Sequence, residues 1–276
     1  MDNTDATLPA ALTAADARVR LVIDDTLAVI TLNRPEQQNV LDIHTSRAVI
    51  AAVEAIEPRV QAGAVRAVLI RGTGRSFCAG GDIQGFAGSA DARAALLEST
   101  LPPLNAAVHT LAMLPVPVVA ALNGAVGGGG LGLAFCADIS IAAESMVLRG
   151  GYTGMGLTPD VGSSWFLARA VGTARAKRIF FANEKVSAAQ CLAWGLVSEL
   201  VPNAELDSRA LALARSLAAG ATHSLGRTKL LLDGAMERTL AEQLALEARS
   251  MAATGLDDGA SEGVEAFLEK RAPRFG

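Results

Sequence analysis

The chain has 276 residues, enough for one large domain or a core with a small appendage, and 51% of them are hydrophobic. A net charge of -4 and a pI near 5.5 exclude nucleic acid as the main partner, because binding a phosphate backbone needs a basic face. Residues 99–137 contain no Asp, Glu, Lys or Arg, yet Pro102, Pro103, Pro115, Pro117, Asn123 and six glycines interrupt them, so a buried core is predicted rather than a membrane span.

Residues 1–17 lack a basic start with an apolar secretory stretch and also lack Arg-rich transit character, so they read as a disordered lead-in. Two β-branched runs, VRLVID and LAVITL, split by Asp25 and Thr26, predict a hairpin over residues 19–32. Asp42 is placed to cap a helix whose apolar face carries Ile50, Val53 and Ile56, and His44 reads as a surface residue of it. The run RAVLIR at 66–71 predicts a strand, and a second helix is expected between Asp91 and Leu114, ended by Pro115. Strand, glycine loop, helix and strand then follow at 118–122, 124–130, 131–137 and 139–142. Such alternation argues for an α/β fold. Beyond Pro202 the pattern is helix alone, with apolar stripes opposed by charge. A core over residues 18–202 and a helical C-terminal region over 203–276 are the expected organisation.

Cys78, Cys136 and Cys191 form no C-x-x-C pair and read as reduced thiols of a cytoplasmic protein. His44, His109 and His223 show no H-x-x-x-H spacing, so no metal site is expected. The apolar excess predicts subunit contacts.

Two glycine-bearing segments are the most informative. Gly127, Gly129 and Gly132 satisfy G-x-G-x-x-G formally, but a dinucleotide site needs an acid roughly 20 residues on, and Asp138 and Glu144 come too early. The other segment, RSFCAGGDI at 75–83, follows the RAVLIR strand. Small-residue loops at the ends of two strands can each aim one N–H at a single point, as a backbone oxyanion hole requires.

In this setting SFCAGGDI, ALNGAVGGGGLGLAFCADI, GLTPDVGSSWFLARAVG and AAQCLAWGLVSELVP resemble, in order, the motifs of the crotonase family, also called enoyl-CoA hydratase/isomerase. The resemblance covers residues 18–272. It implies repeated ββα units in two roughly perpendicular sheets, with C-terminal helices that support a homotrimer or a hexamer built of two trimers and help close the CoA pocket. It also implies an acyl-CoA thioester substrate, no required cofactor beyond the CoA carried by that substrate, no membrane or nucleic-acid partner and a role in fatty-acid-type metabolism. Gly81 and Gly129 are implied as the oxyanion-hole donors, the second at a helix N-terminus whose dipole favours negative charge. Ala79 and Ile83 are implied near the adenine, Arg34 and Gln38 in a loop bordering the CoA pocket, and Lys270 near the CoA phosphates, in some members from a neighbouring subunit.

Hydratases of this family use two glutamates. Gly132 stands at the position of the first and Tyr152 at that of the second, eight residues before Asp160. Glycine carries no acid or base, and the phenol of tyrosine is a poor base at neutral pH. Asp160 stands where some family isomerases and a related dehalogenase keep a working carboxylate, although an aspartate two residues before a glycine also suits a helix N-cap. Tyr152 can orient or cover the acyl group, or simply pack. One base is enough to move a double bond through a dienolate, and Trp165 and Phe166 are expected to make the surroundings of Asp160 apolar. The dehalogenase needs a histidine where this chain has Asn105, with His109 one helical turn on. The favoured reading is an enoyl-CoA double-bond isomerase using Asp160; the alternatives are an enoyl-CoA hydratase and a catalytically reduced CoA-thioester-binding protein.

Overall fold

The computed structural model describes residues 8–275. Its strands are β1 (Val19–Asp24), β2 (Leu27–Leu32), β3 (Ala67–Gly72), β4 (Ser76–Cys78), β5 (Val118–Leu122), β6 (Ala125–Gly127), β7 (Ile139–Ala143), β8 (Val147–Arg149), β9 (Lys185–Ser187) and β10 (Glu199–Val201). The helices are α1 (Ala10–Thr13), α2 (Ile43–Gln61), α3 (Ala90–Met113), α4 (Gly130–Phe135), α5 (Ser163–Ala182), α6 (Ala188–Ala193), α7 (Leu206–Ala218), α8 (Thr222–Asp233), α9 (Leu240–Thr254) and α10 (Asp258–Glu269).

Six strands form one sheet in the order β1-β2-β3-β5-β7-β10, and four form a second in the order β4-β6-β8-β9. The predicted hairpin is present: β1 and β2 pair antiparallel around Asp25, which takes the left-handed conformation at φ 55°. From β3 onward each ββα unit sends its first strand to the large sheet and its second to the small one, through the pairs β3/β4, β5/β6 and β7/β8. This is the α/β architecture of repeated ββα units.

The central strands are buried on both faces, which is why they read as continuous apolar runs rather than alternating ones. Successive side chains still point to opposite sides. Ile30, Val68, Ile70, Val118 and Leu122 face the main core with α2 and α3. Val29, Leu69, Val119 and Ile141 face α7, whose Ala210, Ala214 and Ala218 recur every fourth residue and form the buried stripe against the sheet. Asp42 caps α2 by accepting the Thr45 N–H at 2.6 Å, and Pro102 and Pro103 are accommodated within α3.

Two expectations need correction. Residues 1–7 of the supposed lead-in lie outside the described residues, but Ala10–Thr13 is helical and its Leu12 is buried in the main core, so disorder does not extend to residue 17. The glycine loop at 124–130 is not a loop throughout, since β6 pairs parallel with β4 and β8 inside it. Among the described residues no helix is long and apolar enough to cross a membrane.

Candidate active site

The two glycine segments meet because β4 and β6 are neighbours in the small sheet. Gly80 adopts φ 108°, and a Cβ there would fall 2.9 Å from the Gly127 carbonyl oxygen; a Cβ on Gly128, at φ 48°, would fall 3.2 Å from Gly80 Cα and 3.8 Å from Gly81 N. Only glycine gives both the left-handed backbone and this approach. Among the described residues the N–H groups of Gly81 and Gly129 are absent from the backbone hydrogen-bond network, which leaves two adjacent donors without acceptors.

The Gly80 loop is held from behind by residues 34–41. Asn39 is fully buried at φ 54°, its Oδ1 accepts the Arg34 N–H at 2.7 Å, and its Nδ2 donates to the carbonyls of Thr73 at 3.0 Å and Ser76 at 2.7 Å. The Gln38 carbonyl accepts the Ala79 N–H at 3.1 Å, and the Leu41 N–H donates to the Gly80 carbonyl at 2.8 Å. Sequence reading treated this segment only as a pocket border. Its signal is an asparagine in the left-handed region, a conformation that Asn tolerates better than most residues.

Two chambers open where these loops meet. An inner one of about 300 Å3 lies against α2 and α3, and an outer one of about 480 Å3 lies against Ala79, Ile83, Arg149 and residues 151–160. Gly81, Phe86, Leu97, Leu101, Gly129 and Asp160 line both, so Asp160 is the carboxylate at their junction. A Cβ on Gly129 would be 3.4 Å from Asp160 Oδ1, so the carboxylate lies against the Gly129 backbone.

Asp160 does not cap α5. The N-cap of that helix is Gly162 and carries no side-chain cap, while Asp160 Oδ1 accepts the Tyr152 hydroxyl at 2.6 Å. Ser163 Oγ donates to the Asp160 carbonyl at 2.7 Å and lies 3.1 Å from the Tyr152 oxygen. Burial pushes the Asp160 carboxyl above the usual carboxylate range, and the bond from Tyr152 partly opposes that rise. Burial, with the facing carboxylate, pushes the Tyr152 phenol up as well, so it stays protonated and donates.

The apolar surroundings of Asp160 are not those expected. Trp165 is exposed, packs edge-on against Phe166 with Arg169 over its ring, and lines a separate cleft near α8. The residues that desolvate the carboxylate are instead those lining its own chambers, Val161, Phe86, Leu97 and Leu101 among them. Val161 is a buried β-branched residue at φ 50°, followed by Gly162 at φ 75°. A β-branched residue rarely takes this conformation.

Gly132 explains how that turn fits. A Cβ at Gly132 would lie 1.8 Å from the Val161 carbonyl oxygen and 2.8 Å from its carbon. The space that a side chain would need at position 132 is filled by the backbone that carries Asp160.

The remaining predicted residues divide. Ala79, Ile83 and Gly81 line the outer chamber. Arg34 does not line either chamber: its guanidinium pairs with Asp42 at 2.8 Å and Glu36 at 3.4 Å. Gln38 and Lys270 are absent from both linings too, and Lys270 is exposed at the left-handed end of α10. Neither lining includes any residue beyond Asn183, so within one chain the C-terminal helices do not close these chambers. Asn105 and His109 are exposed on α3 and line neither chamber, which removes the pairing that dehalogenation would need. Cys78 is buried beneath the glycine loops, and burial pushes its thiol up to about 12. Among the described residues no three His, Cys, Asp or Glu side chains lie together as a metal site.

A model of the enoyl-CoA hydratase/isomerase family matches residues 23–276. The chain is 37% identical over 257 residues to a Rhodobacter capsulatus protein named "Probable enoyl-CoA hydratase", covering 93% of this chain and 97% of the relative. It is 35% identical over 257 residues to the 1,2-epoxyphenylacetyl-CoA isomerase of Escherichia coli K12, covering 92% and 96%. The crystal structure of a Thermobifida fusca YX protein in complex with CoA superposes with a TM-score of 0.80 at 29% identity, covering 90% of this chain and 96% of that one.

Proposed function

The chain belongs to the enoyl-CoA hydratase/isomerase, or crotonase, family, and from that premise we propose that it moves the double bond of an enoyl-CoA thioester with Asp160 as its single base. The observation that carries this reading is the place of Asp160: it is the one carboxylate among the six residues common to both chambers, beside Gly81 and Gly129.

With a 3-enoyl thioester at the junction, ionised Asp160 takes a proton from the α-carbon. The C–H electron pair becomes the α-carbon's bond to the carbonyl carbon, and negative charge gathers on the thioester oxygen. The N–H groups of Gly81 and Gly129 stabilise that charge, and one such donor typically contributes about 3–4 kcal/mol. Protonated Asp160 then returns the proton at the γ-carbon while the electrons flow back, giving the 2-enoyl thioester. The bond from Tyr152 keeps the carboxylate aimed and ready to be ionised again.

Water addition would call for a second acid–base group. Position 132 offers none, and the Tyr152 hydroxyl is committed to Asp160. The relatives carry both kinds of name, so the test must separate them. In an assay with 3-enoyl-CoA and 2-enoyl-CoA, wild type is expected to isomerise the first, and Asp160→Asn to lose about 10²–10⁴-fold of that rate. Brisk hydration of 2-enoyl-CoA by both proteins would overturn the one-base reading, and CoA-thioester binding with no turnover would favour a binding protein.

The same reading includes a cytoplasmic protein assembled as a homotrimer or a pair of trimers. Exposed Leu240, Leu244, Met251, Leu256, Val264 and Phe267 on and near α9 and α10 support contacts between subunits. Lys270 would then serve a CoA phosphate across a subunit boundary.

A further inference from the structure

Arg149 is the one lysine or arginine among the described residues that lines either chamber, and it lines the outer one. Val126, Leu148 and Val186 are buried in the main core. Gly127, Arg149 and Lys185, level with one another on β6, β8 and β9, therefore take the opposite face of the small sheet. Gly127 lines the outer chamber as well and puts no side chain between Arg149 and the glycine loop. Strands about 4.8 Å apart, and two residues spanning at most about 7 Å, put the Arg149 Cα within about 12 Å of that of Gly129.

Asn183 holds the arginine in place. Standing at φ 51° as the C-cap of α5, it accepts the Arg149 Nε–H on its carbonyl at 3.1 Å and the Gly151 N–H on its Oδ1 at 2.7 Å. The terminal guanidinium nitrogens of Arg149 have no partner among the described residues. Neither has Asn183 Nδ2, which is not sealed from solvent, and Asn183 also lines the outer chamber. Lys185, directly opposite Arg149 across the β8/β9 ladder, carries no ion pair either, and Glu184 beside it is taken by Arg178 at 3.2 Å. Like charges that face each other across a ladder destabilise it, and an anion beside them relieves the repulsion. The chamber's one carboxylate, Asp160, is already engaged by Tyr152.

We propose that Arg149 and Asn183 form an anion site on the outer chamber, which binds a carboxylate carried by the acyl group or a phosphate of the CoA part. The planar guanidinium presents parallel N–H donors that match the oxygens of either group, and Asn183 Nδ2 adds another donor beside them. The proposal rests on the reading that a CoA thioester binds with its carbonyl at Gly81 and Gly129. It deepens that reading by naming the residues that select the ligand by its charge.

Titration calorimetry compares saturated acyl thioesters from butanoyl to octanoyl with counterparts that end in a carboxylate, each made with CoA and with pantetheine, which has no phosphate. If the anion is an acyl carboxylate, wild type is expected to bind at least one carboxylated thioester about tenfold or more tightly than its methyl counterpart on either carrier. Arg149→Met is then expected to abolish that preference. If the anion is a phosphate, Arg149→Met is expected to weaken every CoA thioester about tenfold and to leave the pantetheine thioesters unchanged. Asn183→Asp keeps an acceptor for the Gly151 N–H but turns the neighbouring donor into an anion, and it is expected to weaken the same ligands at least as much. Lys185→Met removes an equal charge that does not line the chamber, and it is expected to stay within about threefold of wild type. Affinities within about threefold of wild type for all four series, in Arg149→Met or in Asn183→Asp, would overturn the proposal. So would an equal loss from Lys185→Met, which is the mark of a general field rather than a site. These ligands carry no double bond to move, so loss of 3-enoyl-CoA turnover with the affinity pattern intact would count against the isomerase reading alone.

Discussion

The hydroxyl of Tyr152 donates to Asp160 Oδ1 at 2.6 Å, joining a buried phenol to the carboxylate proposed as the base. The phenol, held in its protonated form, thus tunes the carboxylate it faces.

That bond lowers the Asp160 carboxyl while burial raises it, with burial the larger effect. Because the base must be ionised, kcat/KM is expected to rise with pH along an acid limb above the ordinary carboxylate range. Tyr152→Phe removes the lowering influence, so its limb is expected at higher pH than that of wild type, with the plateau within about tenfold. The pH profile of the two proteins checks this, and a limb that stays in place would show that Tyr152 only packs.

The same burial bears on stability. A carboxyl whose folded value is raised keeps its proton after the unfolded chain has lost its own, so stability is full below the unfolded value and is lost as pH rises through the folded one. Asp160→Asn has no such loss. Urea midpoints are expected to show the variant gaining on wild type between pH 4 and pH 7, and a gap that does not change with pH would contradict the assignment.

Gly132→Ala would place a methyl carbon 1.8 Å from the Val161 carbonyl oxygen, and that neighbour is backbone, so the turn bearing Asp160 must move. Overpacking of this kind costs about 1–3 kcal/mol. A base displaced by about an ångström can lose about a hundredfold in rate. The expected result is lost isomerase kcat with CoA-thioester affinity retained, read by steady-state kinetics and calorimetry.

Asn39→Ala would leave the part-buried carbonyl of Thr73, the buried carbonyl of Ser76 and the Arg34 N–H without their partner. A cost of about 1–3 kcal/mol in unfolding free energy is expected. Asn39→Asp should not rescue it, since a carboxylate can still accept from Arg34 but cannot donate to two carbonyls.

Long elements were legible in the sequence because they repeat a signal many times. VRLVID and LAVITL gave both strands of the hairpin, Asp42 gave the start of α2, and the C-terminal stripes gave α7 to α10. The small sheet was expected only through the family resemblance and not from residue pattern, because β4, β6, β8 and β9 are three residues each and too short to show a period. Density of glycine showed where the two loops lie, and the close approaches at Gly80 and Gly128 give the reason for it. Trp165 and Phe166 misled because closeness in sequence to Asp160 says nothing about which side of a turn a ring takes.

The contact between Gly132 and Val161 also couples two segments that lie far apart in the chain. Any side chain at position 132 would require the turn at 160–162 to take another path, so residue 132 and the placement of Asp160 cannot be altered independently: a library that varies position 132 must vary residues 160–162 with it.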